Sequence, residues 1–301
     1  MSTIERIEID YQSEEYPAGL RDLVDPPPVL YCMGNPSHLR AGLAVIGSRK
    51  ATPYGLGVTR LFAGWAASHG ECIISGAAIG CDQEAHRSAL AVHGSTVAVM
   101  GCGADVDYPS GAAELLDRIR ARGAVISEVP WGTRPQRWLF PRRNRLIAAL
   151  CRALLVVEAS LPSGTFSTAD YALEYDRMVF AVPGSIFASE CRGPNRLLAQ
   201  GAPPITDVTE LGLALGISSP QQLPFLDSAE EPLLAALLSD PMRPDDAARS
   251  LGLHIVEVSR LLGRYEAAGL LSKYPDGRYG PCVSMQRAIQ SHHERTHPGP
   301  A

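Results

Sequence analysis

Gly42-Leu-Ala-Val-Ile-Gly-Ser-Arg49 is a short unbroken apolar run, then a Gly-Ser-Arg turn; Thr52-Pro53 follows and opens a helical pattern over 53–69. An apolar run without alternation predicts a strand buried on both faces, as in a parallel sheet. The same unit recurs along the chain. Apolar runs stand at Cys72-Ile-Ile74, Thr96-Val-Ala-Val-Met100, Ala124-Val-Ile126, Ala153-Leu-Leu-Val-Val157 and Val179-Phe-Ala-Val182. Between them helical periodicity covers 82–93, 111–122, 144–151 and 165–177. Strands alternating with helices predict an α/β fold over residues 42–215: a doubly wound, mostly parallel, Rossmann-like sheet. Ligands of such folds bind outside the carboxyl ends of the strands, where the Gly- and Ser-rich turns fall.

The flanks read differently. Residues 1–41 hold seven acids and three bases, and Asp25-Pro-Pro-Pro28 cannot be a helix interior. They predict an extension leading into the sheet. Residues 216–227, with Ser218-Ser-Pro220, read as a linker. Helical patterns at 230–239, 244–251 and 255–268 precede Leu270-Leu-Ser-Lys-Tyr274, the turn Pro275-Asp-Gly277 and Arg278-Tyr-Gly280. Three helices and a hairpin predict a winged helix over 228–285, with a frayed tail over 286–301.

Among 301 residues, 27 Lys+Arg oppose 32 Asp+Glu, for a formal net charge of −5. Taken alone, that argues mildly against nucleic acid. No apolar run reaches membrane-spanning length, and Met1–Asp10 lacks the pattern of a signal peptide. The seven cysteines are widely spaced with no CxxC pair, which disfavours a disulfide framework or zinc site and predicts a reduced, cytoplasmic protein.

The common nucleotide and hydrolase motifs are missing. Gly101-Cys-Gly103 continues to Val106 rather than Gly, no P-loop lysine follows Gly47-Ser48, and neither GxSxG nor HExxH occurs. No catalytic group, metal or cofactor is predicted. Phosphate-friendly turns are present instead. Ser48-Arg49 precedes a helix start at Thr52-Pro53, and Ser163-Gly-Thr-Phe-Ser-Thr168 opens another. Hydroxyls and free N–H groups at a helix N-terminus form an anion site, although Ser and Thr also serve merely as caps. A third turn runs from Ser75-Gly76 through Gly80 to Asp82, with His86 four residues on. Asp82 reads as a helix cap orienting a half-buried His86; an acid/base pair is the sharper alternative. Tyr108 is either a stacking residue or turn packing.

The stretch 129–157 carries the strongest signal. It contains Arg134, Arg137, Arg142, Arg143, Arg145 and Arg152 with no acid, interleaved with Trp131, Trp138 and Phe140. Cations for phosphates beside rings for bases are the ingredients of a single-strand groove. A solvated basic face is the bland reading. The winged helix carries eight acids against six bases over 228–285, which suits protein contact or regulation better than duplex reading.

These motifs in order resemble the DNA-processing protein A (DprA/Smf) family. The likeness runs from Tyr16-Pro17 through Ala44-Val-Ile-Gly-Ser-Arg49, Ser75-Gly-Ala-Ala-Ile-Gly-Cys-Asp82, Asp107-Tyr-Pro109, Phe140-Pro-Arg-Arg-Asn-Arg145, Ser163-Gly-Thr165 and Val182-Pro-Gly184 to Gly201-Ala202. Cys81, Ala112 and Phe166-Ser167 depart from the family's usual residues. The resemblance implies a dimeric, non-catalytic protein that binds single-stranded DNA without sequence preference, protects it and helps load the recombinase RecA in natural transformation. It places Ser48, Arg49 and Phe140 with Arg142, Arg143, Asn144 and Arg145 in the DNA pocket, and Ser163, Gly164, Thr165 and Thr168 on a phosphate-facing turn. Trp138 and Tyr108 are candidate base-stacking residues; Gly76, Gly80, Asp82 and His86 form a structural turn. The rival reading is a nucleoside-monophosphate phosphoribohydrolase-like enzyme, whose glutamate would be Glu174. A winged-helix transcription regulator is a third.

Overall fold

The core of the fold is a run of buried strands whose residues alternate between two apolar layers. The computed structural model describes residues 5–217, 232–267, 271–274 and 276–281. The chain divides into two compact units, Met1–Ser218 and Ser219–Ala301.

In the first unit β1 (Arg6–Asp10), α1 (Ala18–Arg21) and β2 (Val29–Gly34) lead into β3 (Gly42–Ile46), α2 (Pro53–Ser68), β4 (Ile73–Ser75), α3 (Cys81–Ala91), β5 (Thr96–Val99), α4 (Ala113–Arg122) and β6 (Ala124–Ser127). The chain continues through α5 (Leu139–Leu150), β7 (Cys151–Val156), α6 (Thr165–Glu174), β8 (Met178–Ala181), α7 (Arg192–Ala199) and α8 (Val208–Ala214). The eight strands form one sheet in the order β1-β2-β6-β5-β4-β3-β7-β8. The six from β3 to β8 pair parallel, whereas β1 and β2 add antiparallel at one edge. Residues 6–34 thus contribute two strands to the sheet itself.

Successive strand residues point to opposite faces. Ala44, Ile46, Ile74, Val97, Val99 and Leu154 pack with Leu146, Ile147 and Ala149 of α5 and Ala169 and Ala172 of α6. Leu43, Val45, Ile73 and Leu155 pack on the other side with Phe62, Ala63 and Ala66 of α2 and Ala85 and Ala89 of α3. The chain visits β3, β4, β5 and β6 in one direction, then returns through α5 to place β7 on the other side of β3. That reversal makes the carboxyl ends of β3 and β7 the switch point of the sheet.

In the second unit α9 (Pro232–Ser239), α10 (Pro244–Leu251) and α11 (Ile255–Ala267) precede the antiparallel pair β9 (Leu271–Lys273) and β10 (Tyr279–Pro281). Leu233, Leu237, Ala247, Val258, Leu262, Tyr265 and Leu271 form its core. The stretch 218–227 of the expected linker and the tail 286–301 lie outside the described residues. No helix among the described residues is long and apolar enough to cross a membrane.

Candidate nucleic-acid interface

Because β3 to β7 run parallel, the turns that follow them gather along one edge of the sheet. Three of these turns and the start of α5 meet in one row. Phe140 stands in the first turn of α5, over the backbone of Gly101 in the turn after β5. Tyr108, from the same turn, packs against it with ring centroids 5.3 Å apart. The Arg49 guanidinium, from the turn after β3, lies 5.7 Å from the centre of the Phe140 ring. One helical turn beyond Phe140, Asn144 donates to Ser167 Oγ at 2.9 Å and to the Gly164 carbonyl at 3.3 Å, tying α5 to the start of α6. Tyr108, Phe140, Arg49, Asn144 and the α6 N-terminus thus form a continuous strip of ring, cation and amide. Lys50, exposed beside Arg49, extends it.

At the α6 N-terminus Ser163 Oγ accepts from the Thr165 amide at 3.2 Å and meets Thr165 Oγ1 at 3.0 Å. Gly164 is exposed, with open space where a side chain would stand. Ser163 thus takes the amides of both Thr165 and Phe166, and the exposed Gly164 leaves the end open to solvent. Thr168, by contrast, is buried under the first turn of α6 and does not face the strip, which corrects its expected contact with phosphate.

The first turn also departs from expectation. Thr52 caps α2 by accepting from the Gly55 amide at 3.1 Å, but the Glu158 carboxylate accepts from the Thr52 amide at 2.9 Å and from its hydroxyl at 2.5 Å. Glu158 is buried, and a Cβ at residue 55 would collide with its carboxylate. The α2 N-terminus therefore already holds an anion of the protein's own. Ser48 Oγ accepts from the Lys50 amide at 3.1 Å, so this turn offers the Arg49 and Lys50 side chains rather than a phosphate cradle. An acid closing an otherwise apolar strand, Ala153-Leu-Leu-Val-Val-Glu158, is the signal that would have found Glu158.

The arginines of 129–157 separate by depth. Arg143 is 4% exposed; it donates to the carbonyls of Gly76, at 3.0 Å, and Val99. Burial lowers its pKa to about 10, against the opposing pull of Asp82. Arg145 is buried too, held by the Glu128 carboxylate and the Asp25 carbonyl at 2.9 Å. Neither is a free cation for DNA, which corrects that expectation. Arg142 is half-exposed and shares Glu128 at 3.0 Å, while Arg152 pairs with Glu71 at the start of β7, away from the strip. Arg134 and Arg137 are exposed, and neither pairs with a carboxylate among the described residues. The stretch is acid-free in sequence but not in space. Glu128, one position before it, and Asp25 supply the missing charge.

The tryptophans also part company. Trp131 is packed, its indole N–H donating to Glu8 at 2.7 Å and its ring edge-on to Tyr31. Trp138 is 56% exposed at the N-cap of α5, where a base could reach it.

The third turn is structural, with a different wiring from the one expected. Gly80, at φ +94°, is the N-cap of α3, and Asp82 sits in the first turn with its carboxylate accepting from the Gly76 amide at 3.1 Å. Burial raises the Asp82 pKa, opposed by Arg143. His86 is fully buried rather than half-buried, and its Nδ1 meets Thr96 Oγ1 at 2.7 Å, not Asp82. Burial first, then Arg143 and Arg87, lowers its pKa to about 3, so it stays neutral. Glu174, required by the hydrolase reading, closes α6 nine residues beyond Thr165. That is about 14 Å along the axis, out of reach of the turn. Among the described residues no cluster of His, Cys, Asp or Glu could hold a metal ion.

A strip of this composition at the switch point of a Rossmann-like sheet agrees with what the chain resembles. Residues 8–215 match the family described as DNA recombination-mediator protein A, and residues 218–277 match the DprA winged helix domain. The chain belongs to the DNA recombination-mediator protein A family. Protein Smf of Escherichia coli is 38% identical over 89% of this chain and 76% of its own length. Protein Smf of Synechocystis is 34% identical over 88% of this chain and 77% of its own. Among solved structures, DprA from Streptococcus pneumoniae matches with a TM-score of 0.66 at 36% identity, over 70% of this chain and 74% of that one. DprA from Helicobacter pylori, described for its single-stranded DNA binding mode, matches with a TM-score of 0.64 at 30% identity, over 70% of this chain and 96% of that one.

Proposed function

We propose that this member of the family binds single-stranded DNA along the strip formed by Tyr108, Phe140, Arg49, Asn144 and the α6 N-terminus. The carrying observation is the arrangement of Arg49 over the Phe140 ring and of Phe140 against the tilted ring of Tyr108 at the switch point. A ring whose face is shared by a cation suits an unpaired base beside its phosphate and carries no base-specific donor pattern. Arg142, Arg137, Arg134 and Lys50 add charge around the strip, and Trp138 offers a second ring. The exposed α6 N-terminus takes a phosphate at Gly164 and the hydroxyls of Ser163 and Thr165, the Thr165 amide giving up Ser163 Oγ to do so. The single-stranded DNA binding described for the Helicobacter pylori relative supports the reading.

In this account the protein works by binding, without catalysis: the buried carboxylates nearby, Glu158 and Asp82, are bonded to backbone amides rather than aimed into the strip. It acts in the cytoplasm as a homodimer, protecting single strands and helping load RecA. The family's description as a recombination mediator supports that role.

The test is anisotropy of a labelled dT oligomer titrated with the full chain. Phe140→Ala loses about 1–3 kcal/mol if one base stacks there. Arg49→Ala weakens binding and flattens its salt dependence by about 0.7 log unit per log unit of salt. Wild-type affinity and slope in both variants would overturn the assignment.

A further inference from the structure

The helices on the α2, α3 and α4 face run against the strands, so their carboxyl ends lie at the sheet edge opposite the strip. There, between the ends of α3 and α4, a cavity of about 220 Å³ is lined by Leu90, His93, Arg118, Ala121 and Arg122. Arg118 and Arg122 are one turn apart on α4 and share a face. Neither pairs with a carboxylate among the described residues. Their neighbour Arg120 holds Asp117 at 2.8 Å and Asp107 at 2.9 Å. Arg122 Nη1 lies 3.0 Å from His93 Nδ1. The cavity thus brings the side chains of Arg118, Arg122 and His93 together beside Leu90 and Ala121.

Cations in the last turn of a helix complement its dipole, which accounts for Arg120 and Arg122 being there. It does not account for an apolar-floored cavity between two of them with no acid in the lining. We propose that this cavity binds the chain terminus of a partner protein, taking a terminal carboxylate on Arg118 and Arg122 and its apolar side chain against Leu90 and Ala121. A guanidinium takes a carboxylate through two parallel N–H bonds, a fork geometry that lysine does not reproduce. A nucleic-acid strand fits less well. The lining has no Phe, Tyr or Trp to stack a base, and an apolar floor gives nothing to a phosphodiester. The site is separate from the strip and goes beyond the DNA-binding reading.

The experiment titrates the full chain into labelled tripeptides, Asp-Asp-Leu, Asp-Asp-Ile and Asp-Asp-Phe, each as the free acid and as the C-terminal amide. At least one free acid should bind saturably below about 1 mM, with its amide weaker by about tenfold or more. Arg118→Ala with Arg122→Ala should abolish the difference. Ala121→Phe, which fills the exposed floor and keeps both charges, should do the same, separating occupancy of the cavity from loss of fold. Affinity for a dT oligomer should be unchanged in all of these. Failure of all three acids to bind, equal binding of acid and amide, or a matching loss of dT affinity in the Arg variants would overturn the proposal.

Discussion

Removing the guanidinium of Arg143 would leave Asp82 and the carbonyls of Gly76 and Val99 without their partner inside the fold. Breaking a buried charge arrangement costs about 3–5 kcal/mol, so Arg143→Ala should lower the urea midpoint severely. Arg142→Ala, one residue away on a half-exposed pair, should change stability by less than about 1 kcal/mol. Equal midpoints for the two variants would contradict the division by depth. Adjacent arginines read alike in the sequence, because only the helical phase of α5 decides which one turns under the sheet. His86 gives a second test. Its pKa falls from an ordinary value near 6.5 to about 3 on folding, so between those values the unfolded chain binds a proton that the folded chain refuses. Stability from this group is intact above about pH 6.5 and is lost as pH falls, by about 2 kcal/mol at pH 5. Asp82, its pKa raised on folding, acts in the opposite sense above its ordinary value. The difference between wild type and His86→Gln therefore isolates the histidine. Acid denaturation curves should show the steeper loss between pH 7 and 5 in wild type, and parallel curves would refute it.

At the scale of elements, two helix starts hold the site. The sequence predicts helical periodicity only over 144–151, yet the helix begins at Leu139. Pro141 then sits in the first turn, where no intrahelical N–H is required, so the ring is tolerated. This earlier start puts Phe140 in the helix, one turn before Asn144 on the same face. Tying α5 to α6, Asn144 should matter to binding through position: Asn144→Ala should weaken dT binding with little loss of stability, whereas unchanged affinity would detach the α6 end from the site. The start of α2 is held by Glu158. Glu158→Ala frees the Thr52 amide and hydroxyl from their acceptor and should cost about 1–2 kcal/mol, measured by urea unfolding. The apolar runs of the strands and the turns after them were legible because burial on both faces leaves an unbroken hydrophobic signature. Glu158 stands out locally only as an acid closing an apolar run; that it caps α2 was not legible, since its partner lies 106 positions away.

For the whole molecule, a formal net charge of −5 counts every group equally, while a ligand meets only those at one edge of the sheet. Counting along 129–157 overstates the charge of that stretch, because Glu128 and Asp25 fold back onto it and Arg152 leaves for the other edge. What remains exposed is Arg49, Lys50, Arg134, Arg137 and part of Arg142, with two tilted rings in contact and an exposed helix end. That set is suited to a single strand, whose unpaired bases can reach the rings, and less so to a duplex, whose bases are already stacked. The most direct measurement is the affinity of the full chain for a dT oligomer and for a duplex of equal length, across a salt series. The account predicts tighter binding of the single strand, with log affinity falling linearly against log salt by about 0.7 for each phosphate contacted. Duplex binding as tight as single-strand binding, or an affinity indifferent to salt, would contradict it.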